Sequence, residues 1–382
     1  GPVRCLAHAR IAAGTAAAPR WIADAAPLGF GPADLASAYR IAAAGADAPT
    51  VAIVTAYGYA ALERDLAAYR AQYGLPACTI ASGCLRVINQ RGAAAPLPAD
   101  PPASDDWTVE TALDVAMASA GCPRCKLIVV EADDAGGGNL LVAEAAAAAL
   151  GPAVISNSWG SPEDATVAAA EAYFDHPGIA IFAAAGDGGF DDQLSSTGAG
   201  PDYPGTSAHV IAVGATRLVR DASARGWAEA AWSVNATRTA AGGSACSTRV
   251  PKPAYQVDAP CAYKATADVA AVGDPATPVA VYHAGKGGWI LLGGTSASAP
   301  LVAALVAGAG LGTTVSGAFL AGHAALLHDV TAGSNGTCAE ARLCTAGAGW
   351  DGPTGFGTPD AAALSGAAPL DTGGGAARGG CA

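Results

Sequence analysis

The chain has 382 residues, with 20 Lys plus Arg against 32 Asp plus Glu and a formal net charge of −12. No basic face is available to neutralise phosphates, which excludes a nucleic-acid binder that works by electrostatics. Charged residues make up 14% of the chain and hydrophobic residues 52%, against roughly 25% charged in a typical globular domain, so a disordered chain is excluded as well.

In chain order, Val51-Ala52-Ile53-Val54 reads as a first buried strand, and an Ala-rich helical pattern follows over 60 to 73. A helix is predicted over 106 to 120, a strand over Leu127-Ile128-Val129-Val130, a helix over 139 to 150 and a strand over Val154-Ile155-Ser156. A helix over 164 to 175 and strands at Ile179-Ala180-Ile181-Phe182 and Val210-Ile211-Ala212-Val213 complete the pattern. Short β-branched runs alternating with helices predict an α/β fold with a doubly wound, mostly parallel sheet and active-site loops at the strand ends. The segment 215 to 290 is less regular, and antiparallel hairpins are expected there. From Gly287 to Leu327 there is no Asp, Glu, Lys or Arg, a run longer than the ~20 residues a bilayer needs. Gly293-Gly294, Pro300 and three further glycines at 308, 310 and 312 interrupt it, so the run is read as a buried strand, a turn and a core helix, with no membrane partner. No composition break divides the chain, and residues 1–382 are expected to form a single domain, apart from a Gly-rich tail from Thr372 to Gly380.

Ten cysteines fall largely in near neighbours: Cys78 with Cys84, Cys122 with Cys125, Cys246 with Cys261 and Cys338 with Cys344, leaving Cys5 and Cys381. Cys122-Pro-Arg-Cys125 has the spacing of a redox or zinc motif, but no second CxxC or HxxxH partner completes a metal site. Five disulfides and an oxidising, extracellular setting are expected. The chain opens Gly-Pro rather than Met and carries no charged-then-apolar leader, so a secretory leader is expected to have been removed. Asn235-Ala-Thr237 and Asn335-Gly-Thr337 match the short glycosylation acceptor pattern.

The sharpest motif is Gly293-Gly294-Thr295-Ser296-Ala297-Ser298-Ala299-Pro300, ahead of the apolar run Leu301 to Ala307. Ser296 would sit on a Gly-rich turn opening a helix, with Pro300 in its first turn, and its oxygen would meet the positive end of the helix dipole. The motif resembles the Gly-Thr-Ser-x-Ser-x-Pro signature of subtilisin-like serine peptidases. The rest of that pattern is broken: the first core strand ends in Thr55 instead of Asp, none of the six His is followed by Gly, and Ala184-Ala185-Gly186-Asp187 stands where an oxyanion Asn is expected.

Those departures resemble the sedolisin family of serine-carboxyl peptidases, which have a subtilisin-like fold and use Glu in place of His. The Glu-x-x-Leu-Asp helix of that family is matched by Glu110-Thr111-Ala112-Leu113-Asp114. Further matches are Tyr69 to Pro76, Ser156-Asn-Ser-Trp159-Gly160, Tyr203-Pro204, Val213 to Thr216, and Trp232 before Gly242-Gly243-Ser244. Glu110 and Asp114 are four apart, so on a helix both carboxyls share one face and titrate as a pair. By the logic of serine catalysis Glu110 would take the Ser296 proton and return it to the leaving amine, with Asp114 orienting Glu110. The resemblance implies that Asp187, protonated, donates to the oxyanion, and a carboxyl donor beside a carboxylate base implies work at acid pH.

The resemblance also implies a C-terminal calcium site from the side chains of Asp329 and Asp351 and the carbonyls of Val330, Gly347 and Gly349, hard oxygen donors that suit Ca²⁺. It implies protein or peptide substrates and synthesis with an N-terminal prodomain, whose absence here is read as the mature form. A monomer is expected. Two other readings stand beside the peptidase: a catalytically inactive relative serving as a binding module, and an ester-cleaving acyl hydrolase. Trp159 is read either as a wall of the substrate groove or as a core aromatic.

Overall fold

A computed structural model describes residues 3–9, 26–41, 48–102, 105–194, 200–233 and 240–367. Eight strands form the central sheet, in the order Trp227–Ala231, Val210–Arg220, Ala180–Ala184, Val154–Asn157, Thr50–Ala56, Lys126–Ala132 and Leu85–Asn89, with Val269–Val272 also paired to Val210–Arg220. Every pairing is parallel except that of Trp227–Ala231, which returns antiparallel at the edge. Val51 lies opposite Leu127 on one side and Val154 on the other, so the first strand is central and nearly continuous in apolar residues, as a strand covered on both faces must be.

Side chains alternate across that strand. Val51 and Ile53 share a core with Leu113 of the helix Trp107–Gly121 and Leu301 of the helix Thr295–Gly308. Ala52, Val54 and Ala56 face the other side, with Leu140 and Ala143 of the helix Gly137–Ala148. The Thr295–Gly308 helix is apolar around its whole circumference and almost wholly buried, as expected for a helix with no solvent face. It packs closely against Trp107–Gly121, because a Cβ at Gly121 would lie 2.7 Å from the Leu301 carbonyl oxygen.

The expected strands are all present, and the region 215 to 290 supplies the expected hairpins, including Val279–His283 with Gly288–Gly293. The helix expected over 164 to 175 is reduced to a turn of α-helix, Val167–Ala170, and a 3₁₀ turn, Glu171–Tyr173. Asp164 Oδ1 accepts from the Thr166 N–H at 2.8 Å and from its hydroxyl at 2.5 Å, a local turn that uses up the beginning of the helix, and Pro177-Gly178 ends it. Four disulfides form as expected: Cys78–Cys84, Cys122–Cys125, Cys246–Cys261 and Cys338–Cys344. Cys5 forms none with a described residue, and Cys381 lies outside the described residues. Among the described residues no helix is long and apolar enough to cross a membrane.

Candidate active site

Ser296 is the second residue of the Thr295–Gly308 helix, which follows the strand Gly288–Gly293 through Gly294. Gly294 has φ +102, a conformation that glycine adopts without steric cost, and a Cβ there would collide with the Leu6 carbonyl and lie 2.9 Å from Asp187 Oδ2. The helix starts earlier than the sequence suggested, so Pro300 falls inside it instead of in its first turn. Pro300 has no N–H to return to the Ser296 carbonyl, and the Ser158 hydroxyl lies 3.5 Å from that oxygen.

Glu110 and Asp114 stand on the Trp107–Gly121 helix, each about 1% exposed. Asp114 Oδ1 accepts a 2.5 Å hydrogen bond from the Ser158 hydroxyl, and the Ser296 hydroxyl donates to the Ser158 carbonyl at 3.3 Å. Ser158 therefore connects the acidic helix to Ser296. Burial, then the neighbouring Asp114, pushes the Glu110 carboxyl well above its ordinary range, while the Ser296 hydroxyl and the Ala7 amide favour its charged form. Burial likewise pushes Asp114 well up, against the Ser158 hydrogen bond. The pair is thus a store of protons facing the serine, as two close carboxyls must be.

Asp187 follows the strand Ala180–Ala184. Its Oδ1 accepts from the Thr295 N–H and the Thr295 hydroxyl, both at 2.8 Å, and its Oδ2 lies 3.0 Å from His8 Nε2. Burial disfavours the charged His8, yet Asp187 outweighs it and the His8 pKa is raised.

The four candidate residues Glu110, Asp114, Asp187 and Ser296 are brought together. Sequence reasoning missed the parts that join them: Ser158, which it quoted without a role, Thr295, and the segment 3–9. Arg4–Cys5 pairs antiparallel with Trp159–Pro162, and His8–Ala9 with Gly288–Gly293, so Leu6 passes beside Gly294 and Ala7 beside Glu110. Isolated sequence gives no signal for that path, because short alternating residues near a terminus pair with nothing local. At the end of the first core strand, Thr55 Oγ1 meets Thr111 Oγ1 at 2.8 Å, and Thr111 in turn donates to the Trp107 carbonyl at 3.0 Å. The acidic network therefore does not continue through Thr55. Trp159 is 3% exposed and packs beside Phe174 as a core aromatic.

The residues expected to hold calcium lie close together near the C-terminus. Asp351 is buried; its Oδ2 accepts from the Gly347 amide at 3.0 Å and its Oδ1 from the Thr354 amide at 2.9 Å, while Asp329 Oδ2 accepts from the Gly349 amide at 3.0 Å. Burial, with a contribution from Asp329, pushes Asp351 up to about 7. Asn335 is fully buried, its amide donating to the Gly242 carbonyl at 2.6 Å and to Ser244 Oγ at 2.8 Å, so its acceptor pattern is a structural post inaccessible to glycosylation; Asn235 lies outside the described residues.

Residues 106–309, which contain all four candidate residues, match peptidase S8, the subtilase family. The chain belongs to the subtilase family. This subtilase is 34% identical over 360 residues to kumamolisin of Bacillus sp. (strain MN-32), across 88% of its own length and 63% of that protein's. It thus spans less than two thirds of kumamolisin. Its fold is that of Pseudomonas sedolisin, a serine-carboxyl proteinase solved with two molecules of pseudo-iodotyrostatin, with a TM-score of 0.74 at 24% identity over 89% of this chain and 97% of that one. A more distant likeness, TM-score 0.55 at 18% identity over 88% and 99% of the two chains, is to the S41 psychrophilic protease. The sedolisin-like departures from the subtilisin pattern are borne out at the level of family.

Proposed function

We propose that this subtilase is a secreted, acid-acting serine-carboxyl endopeptidase. The observation that carries the reading is the convergence of Ser296, Glu110, Asp114 and Asp187 in one buried cluster, joined by Ser158 and Thr295. Ser296 Oγ attacks the scissile carbonyl as its proton passes to Glu110, and the oxygen that gains charge receives a hydrogen bond from protonated Asp187. Collapse releases the amine, which takes the proton from Glu110; a water then repeats the cycle on the acyl-enzyme, leaving Ser296 and Glu110 as they began. Asp114, held by Ser158, positions Glu110 and shares its proton. All four residues are present, so nothing favours the inactive-module reading.

Activity should rise as Glu110 loses its proton, and it requires the acid form of Asp187 as the oxyanion donor. We expect an optimum of about pH 3 to 5, displaced toward its upper end by the burial of Glu110. Peptide cleavage measured from pH 2 to 8 with wild type and Ser296→Ala tests this: a bell confined to acid and absent from the alanine variant supports it, and activity that stays flat to pH 8 sinks it. Four cystine bridges support a secreted protein.

Asp329 and Asp351, with the carbonyls of Val330, Gly347 and Gly349, would hold one structural Ca²⁺. The fit is in the donor chemistry: two acidic side chains oppose each other at a partly buried point, and a divalent cation would relieve their repulsion and hold the loop. Calcium at a hundredfold over its dissociation constant should add about 2.7 kcal/mol of stability. Thermal melts with calcium and with chelator should therefore differ in wild type and coincide in Asp351→Asn; coincident wild-type curves would remove the site.

A further inference from the structure

We propose that Glu144 is a positioning residue for peptide cleavage, acting through Asn157 from the far face of the sheet to fix Ser158 between Asp114 and Ser296. The inference rests on the peptidase reading above and goes beyond it, to a residue outside the cluster of four. The strand Val154–Asn157 lies inside the central sheet, and the next strand, Trp159–Pro162, belongs to a separate three-stranded one. Ser158 is the junction between them. Pairing within the central sheet stops one residue earlier, at Asn157, which lies opposite Val54 and Ala183. Two contacts depend on where Ser158 then sits: its hydroxyl donates to Asp114 at 2.5 Å, and its carbonyl accepts from the Ser296 hydroxyl at 3.3 Å. The side chain of Asn157 is the last hold on the backbone before that junction.

Side chains alternate along the strand: Val154 joins the core under Trp107–Gly121 and Thr295–Gly308, while Ile155 joins the opposite core under Gly137–Ala148. Asn157 therefore points away from Asp114, and it meets Glu144. On the helix Gly137–Ala148 the buried residues Leu140, Ala143, Glu144 and Ala147 form one stripe at helical spacing, so a carboxyl stands where an apolar side chain would pack without penalty. Both Glu144 oxygens and Asn157 Oδ1 are buried with no other partner among the described residues, and Asn157 Nδ2 reaches the Phe182 carbonyl only at 3.5 Å. A carboxylic acid and a primary amide complement each other at two points, the acid O–H donating to the amide oxygen and the acid carbonyl accepting from the amide N–H. Burial keeps Glu144 protonated through the acid range, which supplies that donor. The strands Thr50–Ala56 and Lys126–Ala132 face this helix with apolar residues. The titratable groups on the same side are Glu171 and Tyr173 of the 3₁₀ turn and Tyr203, none of them a cation that would favour a charged Glu144. Ser158 is thus held between two buried acids on opposite faces of the sheet.

The test measures peptide cleavage by the full chain, as kcat and KM from pH 2 to 8, in wild type, Glu144→Leu, Glu144→Gln and Ser158→Ala. Glu144→Leu keeps the helix packed but leaves Asn157 without its partner, and kcat is expected to fall about tenfold with KM little changed. The Ser158 hydrogen bond holds the Asp114 carboxyl down, so loosening it should move the rising limb of the pH profile up by about half a unit. Glu144→Gln retains a donor and an acceptor for Asn157 and should restore both kcat and the limb. Joined to Ser158→Ala, Glu144→Leu should cost nothing further, because both act through the same bond. A Glu144→Leu enzyme with wild-type kcat and limb, a loss that glutamine does not restore, or losses that multiply in the double variant overturns the positioning role and leaves the peptidase standing. If wild type cleaves no peptide at any pH from 2 to 8, the peptidase reading falls and the positioning role with it. Should Glu144→Leu not fold, Asn157→Leu breaks the same contact from the strand side and carries the same expectations for kcat, the limb and the double variant.

Discussion

Glu110→Gln is expected to lower kcat for peptide cleavage by about 10³- to 10⁴-fold with little change in KM. The amide keeps the shape of the side chain beside Asp114 and Ser296 but cannot accept the serine proton. The structure offers no substitute, since among the described residues no histidine is hydrogen-bonded to Ser296, and His8 sits against Asp187. Asp114→Asn acts through Glu110 and should cost less, about 10²-fold, with the rising limb of the pH profile moved because the paired proton is gone. Initial rates across substrate concentration separate kcat from KM. A Glu110→Gln enzyme within tenfold of wild type at its optimum would remove Glu110 from the mechanism.

Stability is expected to fall as pH rises from about 4.5 to 8, opposite to the behaviour of a protein held by ionised carboxylates. Glu144, in the Gly137–Ala148 helix, is completely buried facing Asn157, and burial pushes its pKa from 4.5 to about 8. Between those values the folded chain holds a proton that the unfolded chain has released. The proton's contribution is complete below the unfolded value and is lost as pH climbs through the folded one. For a shift of this size that is roughly 5 kcal/mol. Glu131, pushed up by burial to about 7, adds in the same direction. Denaturant midpoints at pH 5, 6.5 and 8 should decline in wild type and decline much less in Glu144→Gln, whose amide never ionises. A wild-type midpoint that rises over this interval would refute the assignment.

The core strands were legible because β-branched runs between Gly and Pro turns have few other solutions, and the placing of Ser296, Glu110, Asp114 and Asp187 was legible through their motifs. The helix at 164 to 175 was overread, since its apolar content resembles a helix while Asp164 ties up the first turn. Ser158 was invisible as a connector. Its hydrogen bond to Asp114 spans 44 residues of sequence, and no local pattern encodes a contact made only when a sheet edge meets a helix. The segment 3–9 was illegible for a related reason: its conformation comes from the edges of Trp159–Pro162 and Gly288–Gly293, not from its own residues.

A free carboxyl group has two equivalent oxygens and can carry its proton on either. Thr295 ends that equivalence at Asp187, because its amide and hydroxyl both donate to Oδ1 and leave that atom committed as an acceptor. The other oxygen, Oδ2, is turned toward Gly294 and lies 3.0 Å from His8 Nε2, so it alone is left for a partner from outside the helix start. The residue immediately before Ser296 thus makes the two Asp187 oxygens inequivalent, one committed to the start of the helix and the other held open beside it.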